Sequence, residues 1–178
     1  MTPAELVSVI RTIPDFPKPG IVFRDITTLI ANGPALSATI AHLAALAGRI
    51  GVETIAAVEA RGFIIGAALA NQLCCGLIPL RKPGKLPVPT VGVDYSLEYG
   101  TARLELDPGM MRPGQRVLLV DDLIATGGTA LAGLELLRGT GASVDHALFV
   151  VDLPDLGGAD ALRHAGVEVA SLMSFPGH

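Results

Sequence analysis

Val117-Leu118-Leu119-Val120-Asp121-Asp122-Leu123-Ile124-Ala125-Thr126-Gly127-Gly128-Thr129 decides how this chain is read. Four consecutive apolar residues bounded by turn signals suit a strand buried on both faces of a parallel sheet. Two carboxylates follow at once, at the strand end where open α/β sheets bind ligands. Acids placed directly behind a buried run are costly unless something solvates or uses them. The small turn Ala125-Thr126-Gly127-Gly128-Thr129 then leads into a helix-like run and presents backbone N–H groups with little side-chain obstruction. A turn of this kind at a helix N-terminus is a phosphate cradle. Carboxylates that accept from vicinal hydroxyls, next to a phosphate cradle, suit a ribose 5-phosphate. The competing reading is an ordinary βα connection in which Asp121 and Asp122 are merely solvated. A nucleotide P-loop is excluded, because no Lys follows the glycines. Gly139-Thr140-Gly141 lies between a helical run and a strand, the wrong order for a dinucleotide fingerprint, and reads as a helix stop.

Working outward, the same alternation of strand and helix recurs. Downstream, Leu131, Leu134 and Leu137 predict a helix ending near Gly139, followed by a strand over 143–151, a helix over 154–165 weakened at its start by Gly157-Gly158, and a strand over 167–173. Upstream, residues 54–58 predict a short buried strand that ends in Glu59-Ala60-Arg61-Gly62, a second charged strand-to-helix turn, with a helix over 63–74 behind it. A strand over 77–80 carries Pro79, which suits a sheet edge or a position needing no ladder bond. Arg81, Lys82 and Lys85 with three prolines make the exposed basic loop of residues 81–89. Residues 91–99 and 101–106, hinged at Gly100, alternate as an antiparallel hairpin does, and a hairpin inserted in a β/α chain is a candidate active-site hood. Leu36, Ile40, Leu43, Ala47 and Ile50 mark one apolar helix face that starts at Asn32-Gly33-Pro34 and stops at Gly51. Residues 3–11 predict a short helix. Pro14, Pro17 and Pro19 then exclude helix interior, leaving an arm whose Phe16 and Phe23 either pin a loop to the core or stack on a planar ligand. The pattern predicts one α/β domain over residues 1–178, an open and mostly parallel sheet with helices on both faces, an N-terminal arm at 1–25 and a hood at 82–106.

Composition narrows the function classes. The chain has 178 residues, half of them hydrophobic and 17% charged, with a net charge of −4. That balance argues against a nucleic-acid partner, since phosphate contacts need clustered Lys and Arg. The low charge suggests apolar surface covered by another subunit. Residues 26–48 and 62–80 lack charged side chains, but polar residues, Gly and Pro interrupt both, so no membrane partner is expected. Met1-Thr2-Pro3-Ala4-Glu5 has no basic region or apolar signal core, and the only cysteines, Cys74 and Cys75, are adjacent in an apolar run. Buried free thiols in a cytoplasmic protein are the expectation.

The opening stretch resembles the phosphoribosyl diphosphate (PRPP) signature of the type I phosphoribosyltransferases: an apolar strand, two acids, a few small or apolar residues, then Thr-Gly-Gly-Thr. Further segments resemble the adenine phosphoribosyltransferase branch of that family. They are Pro14-Asp15-Phe16-Pro17 with Pro19-Gly20-Ile21-Val22-Phe23-Arg24-Asp25, Glu59-Ala60-Arg61-Gly62-Phe63, Arg81-Lys82-Pro83-Gly84-Lys85-Leu86-Pro87 and Tyr95-Ser96-Leu97-Glu98-Tyr99-Gly100. They stand in family order and spacing across residues 14–130. Asp107-Pro108-Gly109-Met110-Met111 departs from the family linker, and the last third matches loosely.

The resemblance implies an enzyme that transfers the 5-phosphoribosyl group of PRPP to N9 of adenine, giving AMP and diphosphate. It implies that Asp121, Asp122, Ala125, Thr126, Gly127, Gly128 and Thr129 hold the ribose 5-phosphate. Arg61, Arg81, Lys82 and Lys85 would meet the diphosphate, Arg81 and Lys82 either within the chain or across the interface of an expected homodimer. Phe23 and Leu153 would sandwich adenine while the backbone of Val22 and Arg24 reads its edge. Glu98 would assist loss of the adenine proton, with Tyr95 and Tyr99 beside it in the hood. Mg²⁺ would be held mainly by PRPP oxygens, without a dedicated protein ligand. Two other readings compete. Another purine or pyrimidine phosphoribosyltransferase would need a different base-reading arm. A PRPP-sensing regulator that had lost catalysis fits poorly with the acidic charge and with the presence of Glu98 and the complete hood.

Overall fold

The computed structural model describes residues 1–97 and 100–177, Leu97 by its backbone alone. In chain order, α1 (Pro3–Val7) and a hairpin of β1 (Arg11–Pro14) and β2 (Val22–Asp25) lead through α2 (Thr27–Ile30) to α3 (Gly33–Ala47). Then β3 (Thr54–Val58), α4 (Arg61–Leu73) and β4 (Gly76–Leu80) alternate. A second hairpin, β5 (Val91–Leu97) and β6 (Gly100–Leu106), interrupts the alternation. It resumes with β7 (Arg116–Ile124), α5 (Gly128–Gly139), β8 (Ser143–Asp152), α6 (Gly158–His164) and β9 (Glu168–Ser174).

The five-stranded sheet has the order β4-β3-β7-β8-β9, and every pairing in it is parallel. The β3 residues are buried throughout, as are Val117 to Val120 of β7. Two apolar clusters cover the two faces. One joins α3 and α4 to Leu118, Val120 and Leu148; the other joins α5 and α6 to Leu119, Ala147 and Phe149. This is the layered architecture that a run of parallel strands buried on both sides requires. β4 is an edge strand, so Pro79 sits in the edge position its missing N–H suits. The hood hairpin is fastened to that edge: Arg81 N–H donates to Glu105 O at 2.8 Å, and Glu105 N–H donates back to Arg81 O at 2.7 Å.

Several expectations need correction. The first helix ends at Val7 rather than Arg11. Residues from Arg11 onward pair instead with the arm, Arg11↔Asp25 through Pro14↔Val22, so long-range strand pairing overrides the local helical pattern. The proline-rich arm is therefore the closing loop of a β-hairpin. Strand β7 continues through both acids to Ile124 instead of stopping at Val120. Helix α4 starts at Arg61 itself. The helix expected over 154–165 is split: Gly157 adopts φ 74°, a one-turn 3-10 helix precedes it, and α6 follows. Cys74 is exposed and Cys75 half-buried, contrary to the expected buried pair. Cys74 caps α4 in the left-handed region, which turns it away from the apolar face its neighbours occupy. Among the described residues no helix is long and apolar enough to cross a membrane.

Asp25 ties the arm to the core. Its Oδ1 accepts from Thr27 N–H at 2.9 Å and from Thr27 Oγ1 at 2.6 Å, and its Oδ2 accepts from Arg11 Nε at 3.1 Å and from the Arg11 terminal nitrogen. The Thr27 hydroxyl, then Arg11, pull its pKa down to about 2. A carboxyl whose pKa is lowered on folding stabilises the fold above its unfolded pKa and loses that contribution as pH falls through the folded value. Hydrogen bonds to a charged group contribute about 1.5–3 kcal/mol, so Asp25→Ala should lower Tm by roughly 4–8 °C at neutral pH for a chain of this size. The difference from the parent should shrink as the pH is taken down from the ordinary carboxylate range towards 2. A Tm gap that stays constant over that range would assign the stabilisation to packing.

Candidate active site

The pairing of β3 with β7 ends at Ala57↔Val120, while β7 runs on beside β8 to Ile124↔Asp152. From Asp121 onward β7 is uncovered on its β3 side. The chain leaves β3 towards β4 on one side and resumes at β7 on the other, so this gap is the switch point where open α/β sheets place ligands. A crevice of about 540 Å³ opens there. Val58 to Arg61 form one wall and Asp121 to Ala130 the floor and the opposite wall; Lys82 and the hood residues Tyr95, Ala102 and Leu104 complete it.

The two acids differ. Asp122 is 4% exposed, and its Oδ2 accepts from Nε of half-exposed Arg61 in an ion pair. Burial works to lower the pKa of Arg61, but Asp122, then Asp121 and Asp25, outweigh it and hold the guanidinium firmly charged. The side chain of Asp121 lies against the first turn of α4, where a Cβ on Gly62 would come within 2.6 Å of Oδ1. That oxygen accepts from Asp122 N–H at 2.8 Å. Burial first, and repulsion from Asp122 second, raise the pKa of Asp121 well above the usual carboxylate range. The crevice floor therefore carries one neutralised acid and one that gains from any cation brought beside it.

On the wall formed by Val58 to Arg61, Glu59 organises the cations. Its Oε2 accepts from Arg81 Nε at 2.8 Å and from Lys82 N–H at 2.8 Å. Burial works to raise the pKa of Glu59, but these hydrogen bonds and charges bring it below its ordinary value. The Arg81 guanidinium also lies over the Phe63 ring, 5.6 Å from its centroid. Sequence reasoning assigned Glu59 no role. Its place between a buried strand and Arg61 was the available signal.

The turn after β7 is held from two sides. Gly127 takes φ 85° and precedes the first residue of α5, so the backbone folds back with no side chain in the way. Above it sits the hood: a Cβ on Gly128 would meet Ser96 O at 3.3 Å, and Thr129 Oγ1 donates to the Tyr95 hydroxyl at 3.5 Å. Below it, Gly158 N–H donates to Ala125 O at 2.9 Å.

The structure thus gathers Arg61, Lys82, Tyr95, Asp121, Asp122 and residues 125–129 around one crevice, with Arg81 anchored at its rim. Lys85 is exposed and outside the lining. The residues expected to meet adenine are not among those that line the crevice. Val22, Phe23 and Arg24 are half-buried on β2, and Phe23 packs edge-on against Phe16 with centroids 5.2 Å apart. Arg24 donates to Thr12 Oγ1 at 2.7 Å and stacks over Phe175 at 4.8 Å. Leu153 is 8% exposed within the apolar cluster and donates its N–H to Ile124 O at 3.0 Å, next to the crevice. Glu98 and Tyr99 lie outside the described residues.

Comparison with known proteins identifies the family. The family described as Phosphoribosyl transferase domain matches residues 28–161. An adenine phosphoribosyltransferase of Novosphingobium aromaticivorans is 64% identical over 178 residues, all of both chains. Another of Erythrobacter litoralis is 62% identical, again over all of both. Among solved structures, adenine phosphoribosyltransferase from Thermoanaerobacter pseudethanolicus superposes with a TM-score of 0.93 at 45% identity, covering 98% of this chain and 100% of that one. The Giardia lamblia enzyme, solved with 9-deazaadenine, gives a TM-score of 0.93 at 31% identity over 98% of each chain. Two acids near the end of a buried strand, a glycine turn under a hood and full-length similarity of this order have one explanation: the chain belongs to the phosphoribosyltransferase family, in its adenine phosphoribosyltransferase branch.

Proposed function

We propose that this chain transfers the 5-phosphoribosyl group of PRPP to N9 of adenine, releasing diphosphate and forming AMP. The observation that carries this reading is the single crevice in which the acids of β7, the open glycine turn and the cations Arg61 and Lys82 face one another. A sugar phosphate with a second, larger anionic group matches that arrangement at each point. Residues 125–129 hold the 5-phosphate through backbone N–H groups, and Asp121 and Asp122 accept from the ribose hydroxyls. Arg61 and Lys82 meet the diphosphate, with Arg81 and Lys85 reaching it from the basic loop.

In the reaction the N9–C1′ bond forms as the C1′–O bond to diphosphate breaks, with inversion. The leaving group takes the electron pair, and the proton on N9 is lost with help from Glu98. Positive charge develops on the ribose, as in glycoside hydrolysis, and negative charge on the diphosphate, which Arg61 and Lys82 stabilise. The hood over residues 82–106, already packed on the glycine turn at Ser96, excludes water that would otherwise hydrolyse PRPP. Phe23 stacks on adenine, with Leu153 on its other side, and the backbone at Val22 and Arg24 reads the purine edge. Among the described residues no group of three His, Cys, Asp or Glu side chains gathers as a metal site. The chemistry of Asp121 fits a cation carried in on the oxygens of PRPP, because a cation would offset both the burial and the repulsion that raise its pKa. Mg²⁺, when bound, supplies charge neutralisation to the diphosphate. A cytoplasmic homodimer completes the proposal.

A base panel tests it. Adenine, hypoxanthine, guanine, xanthine, orotate and uracil are each incubated with PRPP and Mg²⁺ while diphosphate release is followed. Adenine should give by far the fastest release, since a site matched to a 6-amino donor leaves unpaired polar groups with a 6-oxopurine. Turnover of hypoxanthine without turnover of adenine would overturn the proposal.

A further inference from the structure

We propose that Gly158, at the start of α6, is a positioning residue for the 5-phosphate, acting as the floor on which the turn at 125–129 rests. The inference rests on reading that turn as the phosphate cradle. Gly158 lies far along the chain from the turn, yet the two backbones touch. Gly158 N–H donates to Ala125 O at 2.9 Å. A Cβ built on Gly158 would come within 2.6 Å of the Gly127 amide nitrogen and 2.9 Å of Ile124 Cγ1, and it would collide with Ala125 O. From the other side, a Cβ on Gly127 would come within 2.9 Å of Gly158 Cα and 3.0 Å of its carbonyl oxygen. The contact is reciprocal and is made by backbone atoms, which cannot rotate out of the way as a long side chain can. Gly157 differs: nothing lies within 4 Å of its added Cβ, and its φ of 74° is the only demand for glycine there. Adjacent glycines thus do separate work, one turning the chain and the other admitting the phosphate turn.

The consequence falls on one part of the substrate. A methyl group on Gly158 pushes Ala125 and Gly127 up into the crevice and misaligns the amides that hold the 5-phosphate. That phosphate does not change during the reaction, so its binding is shared by ground state and transition state, and losing it raises KM while sparing kcat. The adenine and diphosphate contacts lie on other segments.

The test compares Gly158→Ala with the parent chain and with Gly157→Ala. The Gly158 variant should raise the KM for PRPP and the inhibition constant of ribose 5-phosphate by about ten-fold or more, with kcat at saturating PRPP, the KM for adenine and inhibition by diphosphate within about three-fold. Gly157→Ala should lower Tm without that selective change. A folded Gly158→Ala protein with unchanged PRPP and ribose 5-phosphate constants overturns the inference, as does an equal loss in every constant. Failure of ribose 5-phosphate to compete with PRPP in the parent chain would instead remove the cradle reading beneath it. If the variant does not fold, amide hydrogen exchange of the parent decides: ribose 5-phosphate should slow exchange at Gly158 together with residues 126–129. Slowing confined to 126–129 overturns the inference.

Discussion

Asp122→Ala is expected to lower kcat/KM for PRPP by about 10²–10³-fold and to lower Tm by roughly 5–10 °C. Both effects come from one carboxylate. Asp122 is buried and accepts from Arg61, so its removal leaves a partly buried guanidinium without its nearest partner. Breaking a buried pair by deleting one member costs about 3–5 kcal/mol, and less here because Arg61 is half-exposed. On the proposed roles, the same change removes an acceptor for the ribose hydroxyls and frees Arg61 from the position in which it meets the diphosphate. Asp121→Asn should separate the two effects. The pKa of Asp121 is raised by burial and by Asp122, so its ionised form is disfavoured in the folded state. A carboxyl of that kind binds its proton more tightly folded than unfolded, and the fold loses stability as pH rises from the ordinary carboxylate range towards the raised value. Neutral Asn removes that penalty. Asp121→Asn should therefore keep or raise Tm at neutral pH while still lowering kcat/KM, whereas Asp122→Asn should lower both. Thermal melts and PRPP kinetics on the two Asn variants provide the check. Parallel losses of Tm in both would mean that the acids are equivalent, contrary to the asymmetry in the crevice.

That asymmetry marks where sequence reasoning stops. Asp121-Asp122 reads as two equal acids behind an apolar run, and the run, the turn and the alternation of elements sufficed to place a crevice at a strand end. Which acid pairs with Arg61 depends on how β7 sits against β3, and that register is set by residues more than 60 positions apart (Ala57 against Val120). The arm was hard to read for a related reason. Its three prolines excluded a helix, but β1 is mostly exposed and shows no alternation, so nothing local announced its pairing with β2. Pro79 was legible, because a missing N–H restricts a strand position whatever the tertiary context. Gly158 was not. A glycine pair at a helix start looks like weakness in a linear sequence, and only the approach of Ala125 and Gly127 shows that space is what one of the pair supplies. Cys74 misled because an apolar neighbourhood in sequence does not fix which way a helix cap turns.

Glu98→Ala should reduce kcat by about 10²–10⁴-fold, the usual contribution of a positioned acid–base group, while leaving the KM for PRPP near its starting value. Glu98 lies outside the described residues. Leu97 pairs with Gly100 at the closed end of the hood hairpin, and Ser96 O lies 3.3 Å from where a Cβ on Gly128 would stand, a close approach of hood to turn. A hairpin anchored to Arg81 at one end and to the phosphate turn at the other crosses the crevice in which C1′ of PRPP would lie. The proton that N9 must lose requires an acceptor, the role proposed for Glu98. Glu98→Gln separates the two things a carboxylate can do: Gln keeps the size and can accept a hydrogen bond, but it does not take a proton at neutral pH. If Glu98 acts on the proton, Gln should be nearly as damaging as Ala, and the fall of kcat at acid pH that a base imposes should disappear. If Glu98 only orients adenine, Gln should restore most of kcat and the loss in Ala should fall on the KM for adenine. An unchanged kcat in both variants would remove Glu98 from the chemistry. In each case a residual rate should persist, because on the proposed roles the glycine turn, Arg61 and Lys82 would still hold the sugar and the leaving group in line, and deleting one acid–base group leaves those contributions standing.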